Sequence, residues 1–383
     1  MQINNQFSSI RGKIRVLMMA VTNIDGPDQY ERILAVLHTL SEHTGLLVWC
    51  NSQSVQTTFH TWLQKKGVEA ELRLIGEAIP RSFHCMLLAP KEKSDLTFYS
   101  HWVRDPFLWK WDEPGALTLL GSVSAKNEDS LWPYLHLKAL NLEGFGPVAV
   151  HGRAVPVAGG NILFDEDFVM VGAKQFRDGL NSGDEQIYRQ RLTDVMNGTG
   201  NNRPFNRLIE IGDAAGQEPP KLIHLDLYMS LTGVRIDGRY VILVGRAALA
   251  AGSEAPDTDL MRSIEQINKY LDAVAEQLTQ SGFYVRRNPI PVLQKRNEAE
   301  SYLCAYNNCL TEVSEDKSVV WLAKLSFQQE AAPYFDHLKQ LEDENVALWK
   351  ELNFEVRLIE ANFHTILDDQ GSLHCITNEV LRG

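Results

Sequence analysis

Apolar positions along the 383-residue chain fall into short continuous runs broken by stripes of helical spacing. Residues 14–22, IRVLMMAVT, form a run of the length a buried strand takes, and Gly26-Pro27 breaks it. Tyr30, Ile33, Leu34, Leu37 and Leu40 then share one face of a predicted helix ending near Gly45. LLVWC (46–50) reads as a strand, 54–66 as a helix and 70–76 as another strand, so the chain opens β-α-β-α-β. The middle is strand-rich. Residues 98–111 and 115–123 read as strands around a turn at Asp112-Glu113-Pro114-Gly115. Three extended runs follow within 147–174, with turns at Gly159-Gly160 and at Asp165-Glu166-Asp167. A helix near 184–197 leads into a polar loop over 198–220, and 221–234 and 239–245 read as another strand pair. The clearest helix is 258–281, where Leu260, Ile264, Ile267, Leu271, Val274 and Leu278 make one apolar stripe. Strands at 283–292, 301–313 and 318–325, a helix over about 331–352 and a strand at 354–361 complete the pattern.

No linker or composition shift divides the chain, and a strand, helix and strand-pair order recurs without strong self-similarity. This predicts a single α/β domain, 1–383, built from divergent repeats. With 44% hydrophobic and 22% charged residues, the chain can bury a large core without disulfides or metals. A net charge of −12 with no basic run argues against nucleic acid or an anionic membrane as partner. The short apolar run at the start reads as a strand rather than a signal peptide, and no stretch approaches the ~18 apolar residues of a membrane span. The five cysteines include no CxxC pair, so reduced thiols, a cytoplasmic location and no metal site are expected. Homo-oligomerisation is left open.

Four segments carry candidate chemistry. Cys375 follows a glycine turn eight residues from the end; a free Cys there is either a buried small hydrophobe or a nucleophile. His224 and Asp226, two apart on a predicted strand, head the same way and need partners, whether structural or catalytic. Arg104-Asp105 is a charge pair enclosed by Trp102, Val103, Phe107 and Trp109. Gly159-Gly160-Asn161 permits either a hairpin turn or a close backbone approach.

In chain order these read RD, GGN, HxD, YNN and GSLHC. That order resembles the guanidino-group-modifying superfamily, the penteins, which includes arginine and agmatine deiminases, dimethylargininases and arginine amidinotransferases. GSLHCIT looks like the Cys-bearing segment of agmatine deiminases, WVRDPF resembles their W-x-R-D, and the terminal NEVLRG is similar to the amidinotransferase tail. These anchors run from residue 102 to 375. The resemblance implies five ββαβ-like units around a pseudo-fivefold axis, no cofactor, and a small arginine-like guanidino substrate. It places Cys375, His224, Asp226 and Asp105 in catalysis and Trp102, Arg104, Gly160, Asn161 and Asn308 at the substrate. The chemistry suits the residue types: carboxylates hold a planar guanidinium, a thiolate attacks its central carbon, and an imidazole moves protons.

One position departs from the family's pattern. The residue before Gly-Gly is Ala158, where an acid normally orients the histidine, and nearby Asp165 or Glu166 is a candidate replacement. The expected activity is deiminase-like hydrolysis of a guanidino C–N bond. An amidinotransferase, favoured by Asn161 and NEVLRG, and a non-catalytic binding module, favoured by Ala158, are the alternatives.

Overall fold

The structure, a computed structural model, describes residues 8–22, 26–91, 102–104, 107–113, 116–122, 140–143, 149–155, 158–165, 168–173, 190, 207–212, 221–250, 258–294, 301–327, 335–368 and 371–383. Five sheets repeat one pattern: two antiparallel strands, then a third that runs parallel to the second. Phe107–Glu113, Ala116–Ser122 and Ala149–Val155 make one such set. Ile162–Asp165, Phe168–Gly172 and Arg207–Ile211 make the next. Met229–Ile236, Arg239–Leu249 and Tyr284–Gln294 form the third, and Leu310–Val313, Ser318–Ala323 and Phe354–Ile359 the fourth. The fifth joins the two ends of the chain. Asn378–Arg382 pairs antiparallel with Ile14–Val21, which runs parallel to Gly45–Cys50.

A parallel pair cannot be joined by a tight turn, so the second and third strands of a unit need a crossover. The helices Gly26–Thr39, Thr258–Gln280 and Phe335–Glu351 supply it in three units. All six apolar-stripe residues of Thr258–Gln280 are buried, together with Tyr270, against the two strands that flank the helix in sequence. Among the described residues, no helix is long and apolar enough to cross a membrane.

The apolar pattern is followed closely wherever an element buries one face. It misleads where a short apolar run is not a strand, since periodicity alone cannot separate the two. Residues 221–228 precede their strand: Leu225–Leu227 is a 3₁₀ turn, closed by Tyr228 N donating to Leu225 O at 3.1 Å. Likewise 301–313 is two strands, Ser301–Leu303 and Leu310–Val313, separated by local turns in which Asn308 N donates to Ala305 O. Residues 102–104 lie before the strand that begins at Phe107. Conversely, a strand at Arg207–Ile211 occupies part of the predicted polar loop, paired with the apolar strand Phe168–Gly172. The expected helix near 184–197 lies, apart from Gln190, outside the described residues, as do Pro114 and Gly115 of the predicted turn.

Candidate active site

The candidate residues share one position in the repeat. Trp102–Arg104 leads into Phe107–Glu113, Ala158–Asn161 into Ile162–Asp165, and His224–Asp226 into Met229–Ile236. Asn308 leads into Leu310–Val313, and Ser372–Thr377 into Asn378–Arg382. Each segment therefore enters the first strand of its unit, so five equivalent entrances bring residues far apart in sequence to one place.

Hydrogen bonds join these entrances. Asn308 Nδ2 donates to Cys375 Sγ at 3.0 Å, while Asn308 Oδ1 accepts from Ser372 N (3.1 Å) and Cys375 N (3.2 Å). One side chain thus fixes both the turn and the sulfur. Asp226 Oδ2 lies 3.6 Å from Cys375 Sγ and 2.7 Å from His374 Nδ1. Arg104 N donates to Cys375 O at 3.3 Å, and Asn161 Oδ1 accepts from Leu225 N at 3.1 Å.

Two glycines allow these approaches. A Cβ on Gly160 would lie 2.9 Å from both His224 Nδ1 and Asp226 Oδ2, closer than carbon and these atoms tolerate. The Gly159–Asn161 segment is a 3₁₀ turn whose neighbouring strands belong to different sheets, so it is no hairpin; its glycine serves close approach. A Cβ on Gly371 would run into the Trp102 ring and sit 3.4 Å from Cys375 Cβ. Trp102 is accordingly packed beside the Cys375 turn.

His224 and Asp226 do come together, but not by strand alternation. They flank and occupy the 3₁₀ turn, and converge on Gly160. Asp226 is 2% exposed, and among the described residues its Oδ1 has no hydrogen-bond partner; the Ser372 hydroxyl, on the Cys375 turn, is in the same condition. Buried polar atoms are normally paired, so these two are places where a ligand's donor or acceptor would be stabilised.

Arg104 faces the other way from the expected substrate contact. Its Nε donates to Thr377 O (3.1 Å) and His374 O (3.4 Å), and its Nη2 bonds the Glu379 carboxylate. Burial would raise the Glu379 carboxyl, but Arg104, Arg382 and His374 outweigh it and hold the group at about 2. Asn161 is wholly buried, seated where a side chain on Gly172 would clash, and its described bond is to backbone. Asp165 is no replacement for the acid missing at Ala158: it accepts from Ser8 Oγ, Arg11 Nε and Tyr240 OH at 2.7–2.8 Å. Asp105 and Glu166 lie outside the described residues.

His374 and Glu379 went unrecognised in the sequence. A histidine beside a candidate nucleophile was a visible signal for the first. Nothing local marked the second. No group of three or more metal-ligating side chains gathers among the described residues.

This repeat of five units with the chain's two ends sharing one sheet is the pentein fold. An agmatine deiminase from C. jejuni, solved as a cysteine-to-serine variant with substrate bound, aligns over 100% of this chain and 99% of its own at 15% identity and a TM-score of 0.57. A putative arginine deiminase from Porphyromonas gingivalis aligns over 97% of both chains at 15% identity and a TM-score of 0.54. No family model matches the sequence, and comparison with curated protein sequences finds no relative.

Proposed function

We propose that the chain, as one catalytic domain over 1–383, hydrolyses a C–N bond of a guanidino group with Cys375 as nucleophile. The observation that carries this reading is the pairing of Asp226 with Cys375. A buried carboxylate, one oxygen without a partner among the described residues, lies 3.6 Å through its other oxygen from a thiol that an amide donor already holds. A planar cation with several N–H donors satisfies that oxygen and presents its carbon to the sulfur. The names of the two similar structures, an agmatine deiminase and a putative arginine deiminase, support the same chemistry.

In the reaction proposed, Cys375 gives its thiol proton to His224 and its sulfur forms a bond to the guanidinium carbon. The C–N bond to the departing ammonia or amine breaks as His224 delivers a proton to that nitrogen, leaving a thiouronium on Cys375. His224 then takes a proton from water, the resulting hydroxide adds to the same carbon, and the C–S bond breaks. The departing sulfur takes the proton that His224 took from water, so the thiol and the neutral imidazole return and a urea-type product leaves. Asp226 holds the cation, with Asp105 as its second carboxylate. Gly160 lets the backbone close on His224 and Asp226, and Trp102 covers the Cys375 side of the site. Asn308 orients the sulfur. Arg104, bonded through Nε and Nη2 to the segment after Cys375, and Asn161, bonded through Oδ1 to Leu225 N, act as positioning residues.

Both features that favoured transfer to an amine now have structural explanations. Asn161 caps a turn, and NEVLRG is the strand that closes the ring of units. Water is therefore the acceptor we favour. The test is incubation with agmatine, arginine, methylated arginines and peptidyl arginine, reading product masses with and without an added amine. Replacement of an N–H by O supports hydrolysis, and passage of the amidino group to the amine supports transfer. Binding without turnover of any compound supports the non-catalytic module and overturns the proposal.

A further inference from the structure

We infer that His374 is a positioning residue for this reaction, acting through Asp226; the inference rests on the hydrolase reading above. Its imidazole is fixed from both sides. His374 lies in the turn over 373–376, its backbone N donates to Asn308 O at 3.4 Å, and its carbonyl accepts from Arg104 Nε and Thr377 N. From that held backbone, Nδ1 reaches Asp226 Oδ2 at 2.7 Å. The acceptor is a carboxylate, so the ring nitrogen donates.

Two consequences follow for Asp226. The terminal torsion of a carboxylate is soft and two-fold, so an unanchored Asp226 exchanges its oxygens freely. The His374 bond makes them inequivalent. Oδ2 is committed to the imidazole beside the sulfur, and Oδ1 is left, buried and without a partner among the described residues, as the oxygen that meets the substrate. The second consequence is electrostatic. A carboxylate 3.6 Å from a sulfur that must become an anion repels the developing charge. A donor on the oxygen nearest the sulfur draws charge away from that contact. His374 is thus placed to aim the guanidinium and to ease thiolate formation, without touching either reacting atom.

The shape of histidine supplies the test. The amide nitrogen of Asn reproduces Nδ1, whereas that of Gln reproduces Nε2, which does not bond Asp226. His374→Asn, His374→Gln and His374→Ala are compared with wild type for kcat and KM on whichever guanidino compound the wild type converts, and for the rate of Cys375 alkylation by iodoacetamide. We expect His374→Asn to stay within about fivefold of wild type in kcat/KM. His374→Gln and His374→Ala should fall about 100-fold, the scale of a small misplacement at a reacting centre, with slower alkylation. Asn behaving no better than Gln, or all variants lying within about threefold of wild type, overturns the inference. If His374→Ala fails to fold, the Asn and Gln pair still decides. A wild type that converts nothing defeats the hydrolase reading itself, a different result from a working enzyme indifferent to His374.

Discussion

Cys50 and Cys375 are both buried thiols on or beside the same sheet, yet their surroundings are opposite. Cys50 ends the strand Gly45–Cys50 within the apolar core that includes Phe59 and Cys85. Burial, and then Cys85, pushes its thiol far above the ordinary range; burial alone pushes Cys85 up to about 12. Cys375 is 3% exposed, but Asn308 donates to its sulfur, and beside it stands a carboxylate whose other oxygen has no partner among the described residues. Burial is therefore not what separates a structural thiol from a candidate nucleophile. The difference is that an amide donor is aimed at the Cys375 sulfur, and that donor, Asn308, comes from a strand entrance rather than from a strand.

The sharpest way to break this comparison is to remove each sulfur. Cys375→Ala should lower kcat by at least about 10⁴-fold with an unchanged far-ultraviolet spectrum, whereas Cys50→Ala should leave turnover intact and cost only about 1 kcal/mol of stability, read from urea midpoints. Activity of Cys375→Ala within about tenfold of wild type would remove the mechanism.

Next in size is the support behind the Cys375 turn. Arg104→Ala leaves Glu379 buried without its nearest cation and should destabilise the protein by about 3–5 kcal/mol in urea titration. The same pair predicts acid sensitivity. Glu379 is held at about 2 when folded, against ~4.3 unfolded. Its contribution is thus fully present above the unfolded value and is lost as pH falls through that value toward 2; it is of order 3 kcal/mol. Glu379→Gln should flatten the fall of the urea midpoint between pH 5 and 3, after allowance for its own loss at neutral pH. An unchanged slope would show that Glu379 is not held by Arg104 and Arg382.

The smallest effect concerns reactivity. Under native conditions at pH 8, iodoacetamide should modify Cys375 about tenfold or more faster than Cys50, Cys85, Cys304 or Cys309, as peptide mass spectrometry would show. Equal rates would place all five thiols in one class and erase the contrast.

The amino-acid sequence by itself determined most of the order of strands and helices, though not the strands Arg207–Ile211 and Asn378–Arg382, because apolar spacing records which face of an element meets a core. The stripe of Thr258–Gln280 and the run of Ile14–Val21 could be read directly. It also marked His224 and Asp226 as unusual, since polar groups among apolar neighbours need partners; Cys375 stood out by its glycine turn, and Asn308 by the resemblance to the penteins. Tertiary structure alone decided who those partners are. The bond from His374 to Asp226 spans 148 residues, and the one from Arg104 to Glu379 spans 275. No local period encodes such separations. Asn378–Arg382 was legible only as a tail, because a strand whose partner is at the other end of the chain is recognised by pairing, not by pattern. Arg104 and Asn161 looked like ligand contacts for the same reason. Residue type tells what a side chain can bond, while the ring of strand entrances settles whether it turns to the site or back to the protein.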